Sequence, residues 1–177
     1  MLYYLILAFM LLFPILWFRV FKKNSWETTL KTLLPKPKHW KKELLGSIKL
    51  FIVLFATFLA LSIILQLIGI NDLNKVDSIV GANIANGAIF YVLLLVIVVF
   101  IEEFFFRAFL QNVIGLAPST IVFTAAHFTY GSIAELIGVF VLGLILAYWY
   151  KKNNSIIQNY LGHLFYNAFA IILYAMV

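Results

Sequence analysis

Charged side chains interrupt one apolar stretch of this sequence. Two adjacent glutamates, Glu102 and Glu103, and the basic residue Arg107 lie within residues 88–110, which are otherwise apolar. An ionised group at membrane depth costs several kcal/mol unless it is paired or faces water, so it indicates a functional site. The structural alternative for this motif is a buried ion pair that joins two helices.

Three further polar residues, His127, His163 and Asn167, occur in later apolar stretches. At the α-helical rise, Glu102 lies about 18 Å from the turn that follows it and His127 about 14 Å from the start of its own helix. His163 and Asn167 lie about 12 Å and about 18 Å from the start of theirs. All four distances are measured from one membrane face. We therefore predict that the four side chains lie at one depth, which independent packing residues would have no reason to share.

The spacing assigns different roles to the two glutamates. Glu103 and Arg107 are four residues apart, share a helix face and can form an ion pair. Glu102 is rotated by about 100° from Glu103 and has no partner within its helix. A carboxylate buried without a counter-charge binds its proton more tightly, which suits a general base near neutral pH. With the two imidazoles and the amide, this set predicts hydrolysis by an activated water, with a histidine or the amide stabilising the oxyanion.

A metal-assisted form of this chemistry would use the same residues. Two histidines and one glutamate with an open water position form a known catalytic zinc set, and Glu102, His127 and His163 supply those residue types. The chain has no His-Glu-x-x-His motif and no cysteine. The sequence therefore establishes no cofactor, and it leaves a divalent metal such as zinc open.

The composition places most of the chain in a lipid bilayer. Of its 177 residues, 64% are hydrophobic and 11% are charged, which lies outside the range of soluble domains. Because about 20 apolar residues cross a membrane, we predict an all-α, polytopic transmembrane helical bundle with about six membrane helices plus a basic interfacial segment. The predicted spans are Leu2–Phe18, Ile48–Ile70, Gly87–Val113, Ser119–Tyr130, Ile133–Tyr150 and Ile156–Val177. The fourth is short enough to cross only partly.

Basic residues concentrate between the first two spans. Nine of the 13 lie in residues 19–49, a region with only two acids. No nucleic-acid motif accompanies them, so the positive-inside rule explains them better, and nucleic acid is not an expected partner. We predict that residues 22–49 lie on the membrane surface against anionic lipids. Four spans separate this loop from Lys151 and Lys152, so both lysine-rich loops are predicted to be cytoplasmic.

We divide the chain at its basic segment. Residues 1–46 comprise the first span and the basic amphipathic segment, and residues 47–177 comprise the membrane-embedded core, with the motifs within 88–177. The first span has the charge-free character of a signal peptide, but it lacks a basic n-region and a clear small-residue cleavage site. We therefore expect it to be retained.

Two polar patterns outside the motifs have simple explanations. Residues 71–86 are polar and contain glycine and asparagine, which predicts a loop on the opposite membrane face, in which Asp72 is solvated. Ser132 and Glu135 have the spacing of a capping box at the start of the fifth span. Neither pattern is needed for the predicted chemistry.

The motifs resemble those of the CPBP family, the CAAX-protease and bacteriocin-processing intramembrane proteases, also called the Abi family. The family pattern is Glu-Glu-x-x-x-Arg, then Phe-x-x-x-His, then His-x-x-x-Asn/Asp, on successive membrane helices. In this chain the pattern is matched, in order, by Glu102-Glu103…Arg107, Phe123…His127 and His163…Asn167. The resemblance covers about half of the chain. Ala108 departs from it, because the family often has glycine after the arginine.

The resemblance implies a membrane protease related to the type II CAAX prenyl endopeptidases. Glu102 would activate the water and His127 would help to position it. His163 and Asn167 would form the oxyanion site. The supporting residues would be Glu103, Arg107 and Phe123. A membrane-associated peptide or protein would be the substrate, and a bacterial cell membrane the location.

Two other functions compete with hydrolysis. A non-catalytic membrane scaffold, or an immunity or regulatory protein of the same family, would bind a partner membrane protein and use the polar cluster as an internal lock. A small transporter would also place carboxylates near the membrane midplane. The two halves of the sequence show no inverted repeat, so the transporter ranks last.

Overall fold

The fold is a bundle of helices, seen in a computed structural model that describes residues 2–37 and 39–176. Val177, the predicted end of the last span, lies outside the described residues. Within them no strand is present. The helices are α1 (Leu2–Leu16), α2 (Trp26–Leu33), α3 (Trp40–Leu67), α4 (Asn74–Ala85), α5 (Ala88–Glu102), α6 (Gln111–Ile114), α7 (Leu116–Ala126), α8 (Ile133–Asn153) and α9 (Ile156–Met176), with π-helical segments at Trp17–Phe21 and Glu103–Leu110 and a 3₁₀ turn at Phe128–Tyr130. The predicted all-α membrane bundle is confirmed.

Five of the described helical stretches are long and apolar enough to cross a membrane, where the sequence predicted about six. They are Leu2–Phe21, Trp40–Leu67, Ala88–Ile114, Ile133–Asn153 and Ile156–Leu173. The difference is the predicted fourth span. Its helix, α7, has 11 residues, which extend about 16 Å at the α-helical rise. That length is well short of a hydrocarbon core of about 30 Å, so α7 alone does not cross. Gly115, before α7, lines a cavity with Lys151, whereas Ser132, after the 3₁₀ turn, hydrogen-bonds to Asp72 beyond the end of α3, so the turn and the loop after it complete the passage.

The segment predicted as a loop, residues 71–86, contains the 12-residue helix α4. The prediction gave weight to its polar residues, its glycine and its asparagines. It overlooked Val76, Ile79, Val80 and Ile84, whose spacing of three or four residues is that of a helix face. The helix contains no fully buried residue, so this apolar face is only partly covered.

The basic segment is largely helical and continues directly into the second span. Helix α2 begins after Ser25, whose hydroxyl accepts from the Thr28 backbone N–H at 3.1 Å. Helix α3 begins at Trp40, eight residues before the predicted span. A hydrogen bond from the Ser155 hydroxyl to the buried Glu43 carboxylate joins the start of α3 to the start of α9. The division of the chain at residue 46 falls within α3, and it stays a prediction.

Helices α3 and α9 pack closely along their length, and α7 packs against α8. A Cβ at Gly162 on α9 would lie 2.9 Å from the Leu50 side chain, and one at Gly143 on α8 would lie 3.1 Å from the Phe123 ring. Glycine at both positions therefore permits the close approach of neighbouring helices. The π-helical segment Glu103–Leu110 contacts both α9 and α7.

That π-helical segment lies in the core of the bundle. Every side chain from Glu103 to Phe109 is buried. Its phenylalanines form an aromatic cluster with the first span and with α7. A π-helix differs in register from an α-helix and often occurs at functional sites. Here it brings polar side chains and aromatic rings together in the core, since Arg107 and Phe106 both pack against Phe123.

Candidate active site

Glu103 is the centre of a buried polar network. Its carboxylate is fully buried and accepts a hydrogen bond from His163 Nδ1 at 2.8 Å. Its second oxygen accepts from Asn159 Nδ2 at 3.1 Å and lies 3.6 Å from Arg107 Nε. The network therefore joins the π-helical segment, which carries Glu103 and Arg107, to helix α9, which carries the other two residues.

Arg107 extends this network towards α7. Its side chain is fully buried, and its guanidinium carbon lies 4.3 Å from the centroid of the Phe123 ring. This contact is a cation–π interaction, which gains strength away from water. None of the three guanidinium nitrogens has a hydrogen-bond partner within the described part of the chain. The ion pair with Glu103 thus balances the charge of Arg107 and leaves its donors unused.

Phe123 also lies between the two imidazoles of the site. Its ring centroid is 4.7 Å from that of His127 and 6.4 Å from that of His163. His127 Nδ1 lies 2.9 Å from the Phe123 backbone carbonyl. Because a carbonyl oxygen only accepts, this nitrogen must carry the proton. The same argument applies to His163 Nδ1 against the carboxylate, so in the neutral form each imidazole presents an unprotonated Nε2.

The other two predicted catalytic residues lie beside this network without joining it. Glu102 is the last residue of α5 and is half-buried. It forms no ion pair among the described residues. Asn167 is partly buried on α9, one turn beyond His163. Neither side chain takes part in the contacts of Glu103.

The predicted ion pair of Glu103 and Arg107 is present, but the sequence missed the residues that complete it. Glu103 holds His163 as well as Arg107, and Asn159 was not identified. Asn159, His163 and Asn167 follow one another at intervals of four residues, which places them on one face of α9. This polar stripe is the signal from which Asn159 could have been found.

The residues present do not fit a three-ligand metal centre. Within the described residues, no group of three or more histidine, cysteine, aspartate or glutamate side chains is arranged to hold a metal ion. Glu102, His127 and His163, the set considered from the sequence, therefore do not form such a site here.

The fold and the site define a class: an integral membrane helical bundle with an acid–imidazole pair in its interior. Residues 84–169 match the family model described as type II CAAX prenyl endopeptidase Rce1-like. The matched segment contains all three motifs, so the resemblance to the CPBP and CAAX proteases is confirmed. Comparisons with curated proteins and with solved structures found no match.

Proposed function

We propose that this protein is an intramembrane endopeptidase that hydrolyses a peptide bond of a membrane-associated protein or peptide. The observation that carries the proposal is the hydrogen bond of 2.8 Å between His163 Nδ1 and the fully buried Glu103 carboxylate. A carboxylate that holds one imidazole nitrogen fixes the tautomer and orientation of the ring for work at the other nitrogen. Such a pair is costly inside a membrane unless it serves a function.

Glu102 is the base in this proposal. It is half-buried and forms no ion pair among the described residues, so its oxygens are available to accept a proton from water. The oxygen of that water then attacks the scissile carbonyl carbon. When the tetrahedral intermediate collapses, the C–N bond breaks and Glu102 returns the proton to the leaving amine. Atoms and charges balance without a further reactant.

The remaining residues orient the water and stabilise the oxyanion. The unprotonated Nε2 of His127 can accept a hydrogen bond from the attacking water. His163 acts as an oxyanion donor through Nε2 in the form of the ring that carries a proton on both nitrogens, with Nδ1 donating to Glu103. The Asn167 amide supplies a neutral donor for the same oxyanion. Arg107 supports this arrangement by keeping the charge of Glu103 balanced.

A non-catalytic scaffold, or an immunity or regulatory protein of the same family, is the second candidate. The observation in its favour is that Glu103, Arg107 and Asn159 are all fully buried and connect two helices. Such an internal lock would keep the bundle in the shape that a partner membrane protein binds. In this case the polar network would matter for stability, and no peptide would be cleaved.

The deciding experiment compares the peptides released in cells that produce the wild-type chain or the Glu102→Gln variant. The proposal expects specific cleavage products to disappear in the variant, whose folded fraction stays unchanged. Asp77→Asn is the matched control, because it removes the charge of an exposed carboxylate on α4 and should leave cleavage intact. Unchanged products from a folded Glu102→Gln protein would favour the scaffold.

We also propose that the protein resides in a bacterial cell membrane with its lysine-rich loops in the cytoplasm and residues 22–49 against anionic lipids. Trp26 and Trp40 are 58% and 69% exposed, as expected for side chains at a membrane interface. Lys36 in the basic segment lines the same cavity as Asn154, which supports placing both loops at one end of the bundle. Single cysteines at Lys36 and Asn154 should therefore react with an impermeant thiol reagent in inverted vesicles and not in intact cells.

A further inference from the structure

A line of buried polar side chains continues beyond the site along one helix. Glu103, Arg107 and Gln111 follow one another at intervals of four residues and are 0%, 0% and 8% exposed. Tyr150 on α8, which is 2% exposed, and Gln111 line a common cavity at the end of the line. An ion-pair lock requires only the first two of these residues, so the other two need a separate explanation.

Four side chains of this region have polar atoms without a partner among the described protein groups. They are the guanidinium nitrogens of Arg107, the carbonyl oxygens of Gln111 and Asn159, and the Tyr150 hydroxyl. The Gln111 amide nitrogen already donates to the Ala147 carbonyl at 2.8 Å, so only its oxygen is unused. A buried polar atom without a partner costs about 1–3 kcal/mol. Four such residues in one part of a small bundle imply a shared partner.

Water is the partner that fits these atoms. Arg107 supplies donors, Gln111 and Asn159 supply acceptors, and Tyr150 supplies a hydroxyl that does both. A buried water typically makes about three hydrogen bonds to such groups. The phenylalanines around the π-helical segment offer no hydrogen bonds. Water in this part of the bundle would therefore be held by these four side chains.

This polar line ends at an opening. Gln111 and Tyr150 line a cavity of about 320 Å³ together with Gly115, Lys151 and Asn154. Since one water occupies about 30 Å³ of liquid volume, the cavity has room for several. Gly115 turns the chain here with φ of 92°, and a Cβ at this position would meet nothing within 4 Å. The cavity lies at the Lys151 end of the bundle, far from the hydrocarbon midplane.

We propose that Gln111, Tyr150, Arg107 and Asn159 hold a file of water molecules that leads from this cavity to the Glu103–His163 pair. The inference rests on the proposed function, because peptide hydrolysis consumes one water for each bond cleaved. That water has to reach a site surrounded by apolar helices, and the polar line provides a route that avoids the hydrocarbon.

The test uses two buried alanines and the absence of native cysteine. Ala147 and Ala108 are both 0% exposed, and each precedes a cavity residue by three positions, Tyr150 and Gln111 respectively. Each backbone carbonyl accepts a hydrogen bond from a cavity residue, Gln111 for Ala147 and Asn112 for Ala108. The side chains differ, because that of Ala108 belongs to the hydrophobic cluster around the phenylalanines and that of Ala147 belongs to neither hydrophobic cluster of the described residues. Ala147→Cys and Ala108→Cys variants, in lipid nanodiscs, are exposed to Ag⁺, and the thiols that remain are counted after unfolding.

The water file predicts that the Ala147→Cys thiol reacts at least about tenfold faster than the Ala108→Cys thiol, because reaction requires a hydrated thiolate. Gln111→Leu in the Ala147→Cys background should remove this difference. The unaltered chain gives a second measurement in case a variant fails to fold. In hydroxyl-radical footprinting, Tyr150 should be oxidised while Phe109, which is equally buried at 2% exposed, is not.

Equal reaction of the two thiols, or an unoxidised Tyr150, would overturn the water file. These readouts do not depend on peptide cleavage. A reactive Ala147→Cys thiol in a protein that cleaves nothing would therefore refute the proposed function and leave the file standing. Cleavage by a protein in which Tyr150 and position 147 are dry would refute the file alone.

Discussion

Two carboxylates in this protein each collect several hydrogen-bond donors, in very different surroundings. Glu103 lies fully buried in the bundle and accepts from two side chains of α9, at 2.8 and 3.1 Å. Asp72 lies between α3 and α4, outside the candidate spans. It accepts from the Ser132 hydroxyl at 2.8 Å and from the backbone N–H groups of Ile133 and Ala134 at 2.9 and 3.0 Å.

The difference lies in the kind of donor and in the presence of water. Asp72 receives two of its hydrogen bonds from the N-terminus of α8, a partner that any helix provides. Glu103 receives its hydrogen bonds from an imidazole and an amide, so its network requires particular residues at 159 and 163. Bulk solvent also competes for Asp72 and screens its charge, whereas Glu103 is fully buried and has no contact with bulk solvent. Asp72 is therefore an anchor at the start of α8, while Glu103 joins two helices through particular side chains.

The largest effect that this comparison predicts is that of Glu103→Ala. The substitution leaves Arg107 as a buried charge without a counter-ion and removes the acceptor of both His163 and Asn159. Breaking a buried pair in this way destabilises a protein by about 3–5 kcal/mol. Thermal unfolding in detergent should show a large fall in the midpoint, and cleavage should be lost. Glu102→Gln is the control, because it should abolish cleavage at an unchanged midpoint.

A midpoint that is the same for Glu103→Ala and the wild type would contradict the role of Glu103. It would mean that Arg107 finds another counter-charge, for which Glu102 is the nearest candidate. In that case, substitution of both Glu102 and Glu103 by glutamine should lower the unfolding midpoint, because Arg107 would then have no counter-charge.

A smaller effect is expected from Asn159→Ala. The substitution leaves one Glu103 oxygen without its amide donor and frees the Leu146 carbonyl, to which Asn159 Nδ2 also donates at 2.8 Å. The expected loss is about 1–3 kcal/mol of unfolding free energy. Asn167→Ala, eight residues along the same stripe of α9, is the matched variant. It should reduce cleavage with little change in stability. If Asn167→Ala instead lowered stability and Asn159→Ala reduced cleavage at unchanged stability, the roles assigned to the two asparagines would be wrong.

The sequence was sufficient for the features that depend on local pattern. The apolar lengths identified the five spans, although the short α7 was counted with them. The four-residue spacing of Glu103 and Arg107 predicted their ion pair because both lie on one turn of one helix. The order of the three motifs predicted the family whose model residues 84–169 match.

The sequence was not sufficient for features that depend on the rotation of one helix against another. The hydrogen bond from His163 to Glu103 requires the π-helical segment, whose register no spacing rule revealed. Asp72 was predicted to be a solvated loop residue. Its partners, the Ser132 hydroxyl and two backbone N–H groups, lie about 60 positions away, and no local sequence pattern connects them to Asp72. In this region the sequence predicted only that Ser132 caps α8, where its hydroxyl accepts from the Glu135 backbone N–H at 3.1 Å. That contact was predictable because both residues lie within one helical turn.

The smallest effect is expected at Asp72, and it should depend on pH. The backbone N–H groups of Ala134 and Ile133 hold the pKa of Asp72 well below its ordinary value of 3.8. Because the folded pKa is lowered, the stabilisation is complete above the unfolded value and is lost as the pH falls through the folded one. At neutral pH the wild-type chain should therefore be more stable than Asp72→Asn. Below about pH 4 this difference in stability should shrink, because Asp72 becomes protonated in the wild type.

The measurement is the unfolding midpoint from neutral pH to below about pH 4, for Asp72→Asn and for Asp77→Asn. Asp77 is exposed on α4 and takes no part in the Asp72 contacts, so its substitution should leave the wild-type pH profile unchanged. Cleavage at neutral pH should survive both substitutions, because the anchor lies outside the Glu103 network. If Asp72→Asn abolished cleavage at an unchanged midpoint, the two carboxylates would share one function, and the distinction between anchor and active site would be wrong.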